Sequence, residues 1–334
     1  MSVSESDRIA SGYHWTNSVL GFRFLAWTIV GTLFAYLLNI YLTFWREWPG
    51  AGSAFGPDGS AAAWLQIVIY LLSVAGPAVF VLRSRDRTLR QDNEAISAIA
   101  AYIARFAFWV VFLVGVADAL ISFLRVEELL EFFVGADITT QLGRSQFRAP
   151  YVHFPLILAS LVLAAVTRTL GFTWLALLVV VAELQIVVSR FVFSYEQAFM
   201  GDMVRFWYGG LFLFSSAYTL VEEGHVRVDV LYSGFTDKTK GLVNAVGALL
   251  LGLPLCWVIL VVGLGQSTAI ITSPILRLEV SQSGFGMYVK YLLAAYLAVF
   301  AVTMAIQFAA YLLEGVADCR GDPGGREHEP DISQ

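Results

Sequence analysis

Four histidines hold most of the metal and proton chemistry open to this 334-residue chain: His14, His153, His225 and His328. Only His153 falls inside an apolar run long enough to cross a bilayer. Redox membrane subunits hang haem from histidines on membrane helices, so one such residue argues against a haem anchor. The two cysteines are too few for a disulfide framework. Cys256 lies in an apolar run and reads as a small hydrophobe, Cys319 as a tail thiol. No Gly-rich phosphate loop, H-E-x-x-H or metal-spaced Cys/His pair occurs. The chain is therefore read as neither an enzyme nor a cofactor carrier. Its net charge of −5 also lacks the basic footprint of a nucleic-acid binder.

Charges buried in apolar runs are the remaining pointers to function. Glu183 is the deepest. It could serve an ion or proton site, or hydrogen-bond as a lone carboxyl to a neighbouring helix or a partner subunit. No second carboxylate accompanies it and Arg190 stands about two turns away, which favours the second role. Arg105 and Asp118 lie toward opposite ends of one long run, where snorkelling accounts for both. A different signal comes from HVRVDV, residues 225–230, which alternates polar and apolar with the period of a half-buried strand.

The elements that must position these residues are membrane helices. The chain is 58% hydrophobic and 14% charged, against about 25% charged in an average soluble domain. That composition, with a mean hydropathy of +0.70, specifies an all-α integral membrane protein. Runs at 24–45, 61–82, 95–124, 149–167, 173–189, 205–221, 242–266 and 291–313 predict about eight transmembrane helices. The first follows a polar, acidic start without a small-residue cleavage site and reads as a retained helix. With the N-terminus inside, twelve basic residues fall on the inner side and eight on the outer, and RSRDRTLR (83–90) is the densest inner cluster. Both termini are expected in the cytoplasm. The segment 125–147 is amphipathic, with Leu129, Leu130, Phe132 and Phe133 suited to the outer interface. FVFSYEQAFMGDMVRFWY (191–208) has the make-up of a second interfacial helix. Pro77, Pro155 and Pro254 are expected to kink their helices. The tail, 317–334, is poor in apolar residues and reads as disordered.

The stretch from LQIVVSRFVF through GDMVRFWYGG to EEGHVRVDVLY (184–232) resembles the signature region of the small permease subunit of TRAP (tripartite ATP-independent periplasmic) transporters, the DctQ family. The elements that carry the resemblance are RFVF (Arg190 to Phe193), GDM around Asp202, and GHVRVDV with Gly224, His225, Arg227 and Asp229. Asp202 stands where the family usually has Glu, which keeps the carboxylate. Downstream, DKTKGLVNAVGALLLGLPL and GMYVKYLLAAYLAVF, with Lys290, resemble the family's last two helices. The resemblance covers about 171–316, four spans, and leaves 1–170 as an extra region of about four spans.

It implies a scaffold role in the bacterial inner membrane. The partners it implies are membrane lipids, a large permease that carries organic anions such as carboxylates with sodium, and a periplasmic substrate-binding protein. Arg190, Phe193, Asp202, Arg205, Gly224, His225, Arg227, Asp229 and Lys290 would then be structural or partner-interface residues, with Arg227 and Asp229 bracing a cytoplasmic turn. The alternative is a membrane anchor for a redox enzyme, or a stand-alone carrier.

Overall fold

The computed structural model describes residues 16–56, 59–168, 172–221, 232, 234–281 and 286–324. The GHVRVDV motif, residues 169–171 and residues 325–334 of the expected tail lie outside the described residues, whereas 317–320 continue the last helix.

Apolar length dictates the architecture. In a medium without water, a backbone satisfies its own N–H and C=O groups only as helix or closed barrel, and among the described residues every long element is a helix. In chain order these are α1 (Asn17–Trp45), α2 (Ala61–Arg83), α3 (Leu89–Val126), the short α4 (Leu130–Val134) and α5 (Ala136–Leu142), then α6 (Ser145–Val166). They continue with α7 (Phe172–Val192) and α8 (Ala198–Val221), α9 (Asp237–Leu264), and α10 (Thr272–Arg277) and α11 (Lys290–Arg320). Seven of them are long and apolar enough to cross a membrane. The eighth expected span, α8, forms a helix of 24 residues but is not among the seven. Asp202, Arg205, Gly209, Gly210, Ser215, Ser216 and Thr219 dilute its apolar character.

The expected interfacial segment after α3 breaks into α4 and α5, with Leu130 buried and Leu129, Phe132 and Phe133 exposed. The second such segment forms no helix of its own: α7 runs on to Val192 and α8 starts at Ala198.

Of the three prolines expected to kink helices, two sit behind a widened turn. Proline removes one helical N–H and its ring crowds the carbonyl four residues back. Those carbonyls belong to Tyr151 and Leu250, and both lie in single π-helical turns, Ala149–His153 and Ala248–Gly252. The wide turn makes room for the ring without ending the helix. Pro77 lies inside α2 without such a turn. The carbonyl it frees, Ser73, faces Gly31 of α1, where a Cβ would stand only 2.7 Å from the oxygen. A bare Cα is what lets the two backbones approach there.

The described residues fall into two compact units, one drawn from 1–98, 226–255 and 305–334, the other from 99–225 and 256–304. In the first, Arg23 of α1 is fully buried and donates to Asp92 at 2.6 Å and to the Ser84 carbonyl at 2.8 Å. The core of the second gathers Val111 and Val114 of α3, Phe206, Trp207 and Phe214 of α8, and Tyr291 and Tyr296 of α11.

Candidate functional site

The polar centre of the second unit forms where three helices bring charged side chains, and α11 a tyrosine, to one short segment, residues 286–289, just ahead of α11. α3 supplies Asp118 and Ser122, four residues apart and so on one helical face. α6 supplies Arg148 and His153. Five residues separate them, and the intervening π turn, with its i to i+5 bonding, lets both reach the same neighbours. α8 supplies Asp202, and α11 supplies Tyr291.

Asp118 is fully buried and accepts on both oxygens. Oδ1 receives Arg148 Nη1 at 2.9 Å and His153 Nε2 at 2.9 Å. Oδ2 receives the backbone N–H of Tyr288 at 2.6 Å. With Nε2–H donating, His153 Nδ1 accepts from the Tyr291 hydroxyl at 2.8 Å. Arg148, also fully buried, donates Nε to the Leu142 carbonyl at 2.8 Å and lies 4.1 Å from the centre of the Tyr288 ring. Its Nη2 has no hydrogen-bond partner among the described residues. One carboxylate faces one guanidinium, so the pair closes its own charge. The earlier expectation that Asp118 snorkels is corrected here: the side chain turns inward to a cation on the next long helix.

Asp202 repeats the device one residue upstream. Its Oδ2 accepts the backbone N–H of Met287 at 3.0 Å and the Ser281 hydroxyl at 3.0 Å, while Arg205 Nη1 stands 3.3 Å from Oδ1. Ser122 donates to the Gly286 carbonyl at 3.3 Å. Lys290 pairs with Glu279 at 2.8 Å, and Tyr291 N–H donates to the Glu279 carbonyl at 3.1 Å. Two carboxylates thus hold consecutive amides at the entrance of α11, where negative charge also complements the helix dipole. A cavity of about 320 Å³ opens beside this junction, lined by Asp202, Arg205, Ser281, Val289, Lys290 and Leu293.

Three residues nominated from sequence, Asp202, Arg205 and Lys290, therefore meet in one place. Arg190 and Phe193 do not join them. Arg190 faces Glu196 at 3.6 Å with both side chains largely exposed, and Phe193 is exposed just past α7. Glu183 is exposed midway along α7 with no hydrogen bond or ion pair among the described residues, so no neighbouring helix in the described chain takes its carboxyl. Arg105 donates to the Ala164 carbonyl at 3.3 Å. Gly224, His225, Arg227 and Asp229 lie outside the described residues.

Arg148, His153, Tyr288 and Tyr291 were missed as site residues. A usable signal existed: His153 and Arg148 flank the start of one apolar run while Asp118 sits near the end of another. Between α7 and α8, Tyr195 donates its hydroxyl to Glu127, and burial followed by that carboxylate pushes its phenol up to about 12. Among the described residues no group of three or more His, Cys, Asp or Glu is placed to hold a metal ion.

The two carboxylates of this centre accept from backbone amides and neighbouring cations, an arrangement that can fix the start of a helix. Residues 176–318, which include most of α7 and all of α8 to α10, match a family model described as tripartite ATP-independent periplasmic transporters, DctQ component. No curated protein and no solved structure matches the chain.

Proposed function

We propose that the chain, whose residues 176–318 match the DctQ-component family model, is the small scaffold subunit of a TRAP-type importer. In this reading it supports a large permease that moves organic anions such as carboxylates with sodium. A periplasmic protein delivers the solute, and the complex sits in the bacterial inner membrane with both termini of this chain cytoplasmic.

One observation carries the scaffold reading within the family. Asp202, the buried carboxylate of the matched segment, and Asp118, which precedes it on α3, both accept from the protein's own backbone amides and cations. Glu183 extends the reading to an interface. A lone carboxylate in the middle of a bilayer-spanning helix costs about 2.5–3.5 kcal/mol, and a donor on the large permease would remove that cost.

The four long helices of 1–170, α1, α2, α3 and α6, widen the scaffold and cover a flank of the permease. We further propose that Arg227 and Asp229 of GHVRVDV, which lie outside the described residues, brace the cytoplasmic side.

The direct test is reconstitution. Purified chain alone in liposomes should move no organic acid, and co-reconstitution with the large permease and binding protein should restore uptake that depends on sodium. Uptake by the chain alone overturns the scaffold role. Removing residues 1–170 should weaken the complex with its substrate profile unchanged. A double-mutant cycle on Arg227→Ala and Asp229→Ala, read as yield of intact complex, should show coupling of ~1 kcal/mol. Additive losses return the turn to a solvated loop.

A further inference from the structure

The basic cluster RSRDRTLR divides its arginines unequally. Arg87 donates to Asp92 at 2.7 Å and lies 6.0 Å from the centre of the Phe80 ring. Arg90 donates to Asp318 at 2.8 Å and to the carbonyls of Asp322 and Pro323. Both are spent on the protein. Arg83, in the last turn of α2, and Arg85, just after it, are exposed and make no ion pair or hydrogen bond among the described residues. Asp86, the acidic residue between Arg85 and Arg87 in sequence, is exposed and makes no ion pair with either.

Immediately before these two arginines, α1 and α2 leave a groove of about 250 Å³ between them. It is lined by Leu20, Phe24, Ala78, Val81 and Leu82, all apolar, and it ends one residue short of Arg83. The two features complement each other chemically. An apolar slot whose last lining residue, Leu82, directly precedes Arg83 in sequence, with Arg85 two residues further on, suits a molecule with a hydrocarbon chain at one end and an anion at the other. A guanidinium pairs well with phosphate oxygens because its fork of N–H groups matches them. Leu20 and Phe24 lie one turn apart on the same face of α1, as do Ala78 and Leu82 on α2. The groove therefore runs along the helices toward the cationic end.

We propose that this groove and Arg83 and Arg85 form a site for one anionic phospholipid, with an acyl chain against Leu20, Phe24 and Ala78 and the phosphate at the two arginines. The site lies in the N-terminal region that precedes the DctQ match, and it does not depend on the transporter reading. The buried Arg23, held on Asp92, closes the protein side of the same helix end, so the lipid adds charge only to the outer pair.

Native mass spectrometry of the full-length protein, titrated with phosphatidylglycerol and with zwitterionic phosphatidylcholine, tests this. The wild-type chain should retain one phosphatidylglycerol in preference to phosphatidylcholine. Each surface arginine adds about fivefold to the attraction of an anionic lipid, so Arg83→Gln with Arg85→Gln should weaken retention roughly 25-fold. Arg83→Lys with Arg85→Lys keeps the charge and should recover most of it, which separates lost binding from lost folding. Ala78→Phe fills the groove, leaves both arginines in place, and should weaken retention as well. Soluble glycerophosphoglycerol should not compete. Unchanged retention in the double Gln variant or in Ala78→Phe overturns the site. Displacement by the soluble headgroup at the lipid's own concentration also overturns it, by reducing the feature to a free-anion site.

Discussion

Replacing Asp118 with Asn is the sharpest probe of the centre that holds α11. The side chain keeps its volume, so the cavity term of a core truncation is near zero. What changes is charge and hydrogen-bond direction. Asp118 accepts from Arg148, His153 and the Tyr288 amide at 2.9, 2.9 and 2.6 Å, and it donates to none of them. An amide nitrogen placed on either oxygen position must point a donor at a donor, and Arg148 loses its counter-charge inside a fully buried site. Breaking one partner out of a buried pair costs about 3–5 kcal/mol, against about 0–1 for a surface pair.

We expect Asp118→Asn to lose about 3–5 kcal/mol in reversible unfolding from mixed micelles, followed by near-UV circular dichroism. Adding Arg148→Met removes the orphaned cation, so the double variant should fall short of the summed losses by ~2 kcal/mol or more. A single variant within 1 kcal/mol of wild type, or strict additivity, would refute the claim that the two charges meet inside the protein.

Asp202→Asn should cost less, about 1–3 kcal/mol, because it disturbs the Met287 amide and Ser281 while Arg205 stays mostly in solvent. The same unfolding measurement reads it. Gly241→Ala should destabilise by about 1–3 kcal/mol, since a Cβ there stands 2.6 Å from both the Cys319 nitrogen and the Gly315 oxygen. Gly247→Ala on the same helix, with nothing within 4 Å, should be neutral or stabilising by about 0.5–1 kcal/mol. Equal thermal midpoints for the two alanine variants would disprove the close approach.

The Tyr195 phenol is held above its ordinary value, at about 12. Its contribution to stability is therefore complete below pH 10 and fades between pH 10 and 12. A wild-type minus Tyr195→Phe difference spectrum at alkaline pH should show its phenolate appearing near 12. In a Glu127→Gln background that midpoint should move part of the way back, because burial is the larger cause.

The long apolar helices were legible from sequence because length and hydropathy suffice to specify them where no water can satisfy a backbone. α8 was legible as a helix from its place in the pattern, although its serines and charges keep it from standing out by apolarity. The polar centre was not legible, and the reason is distance along the chain. Asp118 meets partners 30, 35 and 170 residues away, and no local periodicity records such a meeting. Snorkelling was a sufficient account of Asp118 taken alone, and His153 was weighed only as a haem ligand. Asp202, Arg205 and Lys290 were named from resemblance. That Asp202 would reach the Met287 amide, 85 residues on, required coordinates. Pro155 and Pro254 announced irregular helices, but the form of the irregularity, a π turn behind each, depends on how the neighbouring residues pack.

The grip on Met287 and Tyr288 makes the start of α11 a counting device. Neighbouring amides are claimed by carboxylates on different helices, α8 and α3, so each helix recognises a position in the chain rather than a side chain. A one-residue insertion or deletion between this pair and Lys290 would either bring each carboxylate the wrong amide or turn every later residue of α11 by about 100°. Drift in length over evolution is then steered to other joints, such as the Gly- and Pro-rich link between α1 and α2. A designer splicing a tag or a fusion into this protein should make the same choice.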